Sequence, residues 1–333
     1  MKVLICHTSD FGNLIFATPL IRNLKMNLEA EVFCLIDMEN KDAINENPYI
    51  SEIFLKEETS VSKLIRSNSF DLVIDLEIKF TTWLFSILSG IKILKPKSQK
   101  FAEWYMVALR IDQLPDKHYA DQLLEVLDSL SSKRDVLGLD YFIPEKDEIE
   151  RSWLPDIFQK DFVILSLHSA YASRRLPLKK LIEICDRINK PIIVIGDEKD
   201  KILAGEIYTF FKKNGSGNTY EKGLLELNKK SVILDLCGKL NRNQIASLTR
   251  NCSYVFCHDS WVIPVASAFK KEVFTIWGNT IPEFGKYPYK TKFKILQNNR
   301  LDCRPCSAKG YDKCPKGHLK CLNEIIFDFY FPE

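Results

Sequence analysis

No charge of one sign dominates this sequence of 333 residues, in which 47 Lys and Arg stand against 44 Asp and Glu for a formal charge of +3. A chain held to nucleic acid through its phosphates carries a cationic excess, and the lack of one argues against that class of partner. The slight basic balance remains compatible with an anionic substrate or a weak attraction to a membrane surface. Long apolar runs are missing as well. The most apolar stretch, Trp83 to Ile93, breaks off short of the roughly 20 residues that cross a bilayer. The opening Met1-Lys2-Val3-Leu4-Ile5-Cys6 leads straight into a polar turn, without the longer apolar core and small-residue cleavage site of a secretion signal. These absences predict a cytoplasmic protein, a compartment where disulfides are rare. Cys6, Cys34, Cys185, Cys237, Cys252 and Cys257 lie in or beside apolar runs and read as reduced, small hydrophobes.

What is present is an alternation of strands and helices. Lys2–His7, Ala30–Ile36 and Phe70–Leu76 are short apolar runs of strand length. A helical pattern from Leu14 to Leu24 and a helix-like stretch through Leu88 fall between or after them. From Gly138 to Pro155 the chain is charged, carries two prolines and shows no periodicity, so it reads as a linker. The alternation then resumes with strands at Phe162–Leu167, Pro191–Ile195, Val232–Leu236, Tyr254–Cys257 and Val273–Trp277. Helices are predicted at Leu178–Ile188, Ile202–Lys213 and Arg242–Arg250, with a closing helix over Leu322–Phe331. Repeated βαβ units make parallel sheets with right-handed crossovers. The prediction is an α/β chain of two Rossmann-like domains, 1–150 and 155–315, with residues 316–333 as a closing tail.

Ligands of open parallel sheets bind beyond the carboxyl ends of the strands, at the switch in strand order. Three polar turns occupy such places: Thr8–Asn13, His168–Arg175 and His258–Trp261. Each follows a strand and precedes a helix, whose first amides attract an anion. Their convergence predicts a phosphate-bearing ligand between the domains.

Read in order, these turns resemble glycosyltransferase family 9, the bacterial heptosyltransferases of lipopolysaccharide assembly. Thr8-Ser9-Asp10-Phe11-Gly12-Asn13 with Ala17-Thr18-Pro19-Leu20 is similar to that family's opening turn and Thr-Pro helix. Phe70 to Glu77 resembles its second signature, and Ser173-Arg174-Arg175-Leu176-Pro177 the loop that usually reads Ser-Lys-Arg-Trp-Pro. His258-Asp259-Ser260 stands where the family has Asn-Asp-Ser or Asn-Asp-Thr, and Cys303 to Cys321 resembles a cysteine motif found in part of it. The resemblance implies a GT-B fold and inverting transfer of a sugar from a nucleotide-sugar, ADP-heptose favoured, to a glycan or glycolipid acceptor. It implies no catalytic metal, and a place at the cytoplasmic face of the inner membrane with peripheral contact.

The resemblance also assigns residues. The acceptor hydroxyl needs a base, and the family's aspartate is replaced by Asn13, whose amide accepts no proton. Asp10, one turn earlier, either takes over as base or caps the helix. Gly12, Ser173, Arg174, Arg175, Lys239, Asp259 and Ser260 form the expected donor set, the arginines because guanidinium binds phosphate bidentately and keeps its charge. Asp259 and Ser260 read equally well as an N-cap pair. Trp261 and Pro264 replace a glycine and a histidine, so the donor pocket is expected to be altered or partly closed. Glu77 and Lys79 are acceptor-side candidates, with a surface ion pair as the alternative. His118 and His168 read as structural. A second reading, resting on Asn13, Trp261 and Pro264, keeps the scaffold for binding or assembly without catalysis.

Cys303-x2-Cys306-x7-Cys314-x6-Cys321 stands apart. Four thiolates with one C-x2-C knuckle suit a tetrahedral structural zinc or a single iron that pins the tail, with His318 as a competing ligand; four reduced thiols are the alternative.

Overall fold

The computed structural model describes residues 1–6, 10–77, 90–215 and 231–331. Two all-parallel sheets organise them. In the first, β1 (Lys2–Cys6), β2 (Glu31–Ile36), β3 (Glu52–Leu55), β4 (Leu72–Asp75) and β5 (Lys92–Leu94) lie in the order β3-β2-β1-β4-β5. In the second, β6 (Val163–Ser166), β7 (Ile192–Ile195), β8 (Ile233–Asp235), β9 (Tyr254–His258), β10 (Glu272–Trp277) and β11 (Phe293–Gln297) lie in the order β11-β10-β9-β6-β7-β8. The two Rossmann-like halves expected from the sequence are both present. Val3, Leu4, Ile5, Ile192, Ile193 and Val194 are fully buried, because both faces of the central strands are covered and both need apolar side chains.

Three strands carry no continuous apolar signature and escape a reading by hydrophobicity. All three are sheet edges: β3, β5 and β11 expose their first residue and bury at most one fully. An edge strand packs on fewer neighbours and is free to stay polar.

The helices are α1 (Phe11–Phe16), α2 (Thr18–Leu28), α3 (Val61–Ser67), α4 (Lys100–Leu109), α5 (Tyr119–Leu124), α6 (Asp156–Lys160), α7 (Leu178–Ile188), α8 (Lys201–Gly215), α9 (Arg242–Asn251), α10 (Val262–Ala268) and α11 (Lys320–Asn323). The single helix expected over Leu14–Leu24 is two, parted at Ala17. Pro19 has no N–H to continue the ladder, and the Thr18 hydroxyl donates instead to the Ile15 carbonyl (2.8 Å). The helix-like stretch through Leu88 lies outside the described residues. Among the described residues no helix is long and apolar enough to cross a membrane.

The closing helix is corrected. Only α11 is helical in the tail, and the following residues alternate: Ile325, Phe327 and Phe329 are buried while Ile326, Asp328 and Tyr330 face solvent. A period of two is extended chain, which a helix of the same composition would not bury evenly. The tail lies along α7, where Lys180 Nζ donates to the Ile325 carbonyl (2.8 Å) and Arg187 to that of Phe327 (2.7 Å). Phe329 packs against the stacked pair Phe256 and Phe274, whose centroids are 4.4 Å apart.

Polar contacts at several points join the halves. The stretch Gly138 to Pro155 is irregular, as expected of a linker, yet it is fastened to α9: the Asp147 carboxylate accepts from Asn241 (2.8 Å) and Asn243 (3.1 Å), and Tyr141 donates to Asn243 (2.7 Å). His118 caps α5, its Nδ1 accepting from the Ala120 N–H (3.0 Å), while Nε2–H donates across to the Tyr287 carbonyl of the second half (2.7 Å). The ring is 3% exposed and wedged against Phe16 and Tyr289. This is the structural role the sequence suggested. Burial takes His118 down from the ordinary 6.5 to about 4, against the Tyr287 carbonyl and Asp121, which pull it up. The folded state therefore holds the neutral ring. Its contribution is intact above about pH 6.5 and drains away as the unfolded chain gains a proton toward pH 4. The loss is roughly 3 kcal/mol for such a shift. Urea midpoints measured across that window should fall with acidity, and His118→Asn, which keeps a capping oxygen, should flatten the slope; an unchanged slope would assign the acid sensitivity elsewhere.

Candidate functional site

The carboxyl ends of both sheets open onto one cleft of about 990 Å³, walled by residues of both halves. It lies at the two switch points, beside β1 and β4 in one sheet and β6 and β9 in the other. The described part of the first turn and both turns of the second half contribute to it. Thr8 and Ser9 lie outside the described residues.

On the N-terminal side, Asp10 and Asn13 act as a unit. Asp10 is the N-cap of α1, with Oδ1 accepting from the Asn13 backbone N–H (2.8 Å) and Oδ2 from the Asn13 side-chain amide (2.6 Å). Asp10 itself is exposed at the cleft wall and Asn13 is buried behind it. An aspartate at position 13 would set two carboxylates against each other, whereas the amide offers a donor that fixes Asp10 in place. Gly12 also lines the cleft, but its first constraint is steric. A Cβ there would stand 3.2 Å from the Trp261 Cα. Glu77 follows β4 and its N–H donates to Asp75 (3.0 Å). Lys79 lies outside the described residues.

On the C-terminal side the expected donor set divides. Arg174, Asp259 and Ser260 meet in the cleft: Arg174 Nη1 lies 3.1 Å from the Asp259 carboxylate and donates to the Asp259 carbonyl (3.2 Å), while Thr280 donates to the same carboxylate (2.9 Å). The buried Arg174 Nε has no hydrogen-bond partner among the described residues. Ser173, Arg175 and Lys239 are engaged elsewhere. Ser173 donates to Asn279 (3.0 Å), Arg175 pairs with buried Asp200 (3.2 Å), and Lys239 donates to the Asp235 carbonyl (2.6 Å). Four cations not singled out from the sequence line the cleft instead: Lys199, Arg242, Lys286 and Lys309. Two of them stand on strand-end turns after β7 and β8, the same signal that marked the other turns. Gly238, in the turn after β8, has φ +63 and no room for a Cβ beside Glu198, so that turn too requires glycine.

His168 lines the cleft with its ring against Trp261 (4.9 Å) and Nδ1 3.1 Å from Asp197. The His168 hydrogen bond holds Asp197 well below the usual carboxylate range, at about 2. His168, Asp197 and Asp200 bring their ligand atoms within 4.8 Å of one another. Arg175 on Asp200 and Lys199 on Asp197 already supply that group with positive charge.

Trp261, whose bulk was expected to alter or partly close the donor pocket, stands in the cleft wall. Its ring meets Phe11 of α1 edge-on (5.3 Å) and His168 from the other side, making it a strut in the wall that leaves the cleft volume open. Sequence alone gives the bulk at position 261 but not the direction in which it points.

Cys303, Cys306, Cys314 and Cys321 line one small cavity of about 20 Å³ with His318, whose Nε2 is 3.9 Å from the Cys303 sulfur. Burial and the neighbouring sulfurs raise Cys306, and burial carries Cys321 to about 11. Burial also presses on Cys314, but the backbone N–H groups of Leu319, Lys316, His318 and Gly317 outweigh it and bring that thiol below its ordinary value.

Residues 204–315 match the family model of glycosyltransferase family 9 (heptosyltransferase). A stretch of 156 residues is 22% identical to lipooligosaccharide heptosyltransferase 2 of Haemophilus influenzae, covering 44% of this chain and 41% of that protein. The chain thus spans about two-fifths of the length of the curated relative it matches. Among solved structures, the glycosyl transferase family 9 protein of Veillonella parvula matches with a TM-score of 0.65 at 17% identity, over 89% of this chain and 85% of that one. The E. coli ADP-heptose lipopolysaccharide heptosyltransferase II matches with a TM-score of 0.64 at 16% identity, over 97% and 98%. The fold is therefore GT-B, and the likeness to glycosyltransferase family 9 drawn from the strand-end turns is shown.

As a strut, Trp261 should stabilise the chain: Trp261→Ala is expected to cost about 1–3 kcal/mol in urea unfolding, with no gain in nucleotide-sugar affinity. A variant that bound more tightly would make Trp261 a plug after all.

Proposed function

We propose that this protein is an inverting glycosyltransferase of the heptosyltransferase type. It moves a sugar from a nucleotide-sugar, ADP-heptose favoured, to a glycan acceptor of lipopolysaccharide kind. The observation that carries the reading is the open cleft between the two strand-end faces, large enough for a nucleotide-sugar, with Arg174, Asp259 and Ser260 on one wall and Asp10 on the other. Two of the similar proteins are named for heptose transfer, and one of these for ADP-heptose, which supports the choice of donor.

In this reading Asp10 is the base. It takes the proton of the acceptor hydroxyl as that oxygen attacks the anomeric carbon and the bond from that carbon to the diphosphate oxygen breaks. The negative charge left on the diphosphate is met by Arg174 and by the first amides of α10. Asn13 orients the base through its amide. The non-catalytic reading rested on Asn13, Trp261 and Pro264, and it is weakened because Trp261 lines the cleft without filling it and a carboxylate stands one turn from position 13.

The tail cysteines are read as one structural site for zinc or a single iron. All four line one cavity, and partly buried thiols beside one another are the donors a soft cation neutralises. A bound ion would cross-link the tail, which buried Arg304 already ties to the Gly278 (2.6 Å) and Thr280 (2.8 Å) carbonyls. Elemental analysis of protein purified under reducing conditions should find about one zinc or iron per chain, and Cys306→Ser should release it. Metal-free protein that stays so with either ion added refutes the site.

Calorimetric titration with ADP-, UDP- and GDP-sugars is expected to give one tight donor, lost in Arg174→Ala. Asp10→Asn separates base from cap, because asparagine caps as well as aspartate. Stability should hold while kcat falls about 10²–10⁴-fold. Absence of any donor binding by the unmodified protein would return the argument to a non-catalytic scaffold.

A further inference from the structure

Helix α4 is a helix of ten residues in which none is buried. Phe101 is 79% exposed and Trp104 56%, and with Ala108 they share one stripe at the i, i+3, i+7 spacing. Leu109 and Ile111 continue the exposed apolar surface past the end of the helix. Lys92, Lys95, Lys97, Lys100 and Arg110 belong to the same segment, against Glu103 within it and Asp112 just past Ile111. Glu103 lines the cleft, and other residues of this segment hold the second half of the protein. Gln99 donates to the Phe284 carbonyl (3.2 Å), and Arg110 donates to the carbonyls of Asp302 (3.2 Å) and Cys303 (3.3 Å). The helix is thus anchored along one side while its aromatic stripe faces solvent.

We infer that α4 and the basic segment before it form a docking surface for an anionic lipid bilayer, seating the mouth of the cleft against the membrane. Aromatic side chains rimmed by cations are the composition of a helix that lies in the headgroup layer. A second copy is the other occupant such a stripe might invite, and charge argues against it. A two-fold contact sets the same patch against itself, bringing five cations onto five, whereas an anionic leaflet attracts each of them. The surface concerns delivery of a membrane-borne acceptor to the proposed transferase site, but its existence does not depend on the donor or on turnover.

The test uses the full chain without nucleotide-sugar: flotation with vesicles of phosphatidylcholine alone, or with about a third phosphatidylglycerol, at low and high salt. Binding should require the anionic lipid, weaken with salt, and shift the tryptophan emission to the blue. Phe101→Ser with Trp104→Ser, and separately Lys97→Glu with Lys100→Glu, should each lower the partition coefficient about tenfold or more, each cation being worth about fivefold near such a surface. Unchanged thermal unfolding of both double variants establishes that the fold is intact. The inference is overturned if the protein ignores anionic vesicles, if the variants bind as well as the parent, or if the parent is a dimer that the variants dissolve.

Discussion

The first turns of α1 and α10 have to touch for the cleft to exist. Each helix starts at the carboxyl end of a central strand, β1 in one sheet and β9 in the other. Their meeting turns the two strand-end faces toward each other. The contact is close enough that position 12 tolerates no side chain without displacing the Trp261 backbone. Trp261 then spreads the contact sideways onto Phe11 and His168. A glycine on one side and the largest side chain on the other make a complementary pair, and apolar burial there holds two sheets that share no strand.

Charge inside the cleft follows from that closure. Arg174 would be costly in a partly dry wall without a partner, and Asp259 supplies one, itself held by Thr280. In the proposed function, an incoming diphosphate would exchange one anionic partner of the guanidinium for another instead of meeting a free cation. Such a site is preorganised, because the arginine is already oriented before the ligand arrives. The opposite wall uses the same economy with neutral groups. Asn13 orients the Asp10 carboxylate by donating a hydrogen bond without neutralising it, so the oxygen that would receive a proton keeps its basic character in a way an arginine partner would not allow.

Much of this was legible from the sequence where residues answer to a periodic or local rule. Central strands, buried on both faces, are continuous apolar runs and read clearly; of the four edges, β8 keeps such a run and reads, while β3, β5 and β11 do not. The tail from Glu324 to Phe331 alternates with period two, and its density of Phe and Ile misleads a reading that attends to composition over period. The strand-end turns identified Arg174, Asp259, Ser260, Asp10 and Gly12 as cleft residues because position along a βαβ unit determines what faces the ligand. It does not determine rotamer. Ser173 and Arg175 flank Arg174 in sequence, yet Asn279 and Asp200, far along the chain, draw them away. Lys199 and Arg242 occupy turns equivalent to the chosen ones, and only the absence of a familiar motif left them unmarked.

The tail and α4 extend the same logic outward. Arg110 reaches from the end of α4 to the carbonyls of Asp302 and Cys303, so the exposed helix of one half is tied to the cysteine-bearing tail of the other. The tail is in turn fixed by Arg304 to the loop after β10, beside the strand ends that face the cleft. Hydrogen bonds therefore connect α4, through Arg110 and Arg304, to the rim of the cleft on the second half. Four thiols line a cavity at that junction, with Cys321 reaching into the core of the second half, and place whatever cross-link they form on the path between the helix and the cleft.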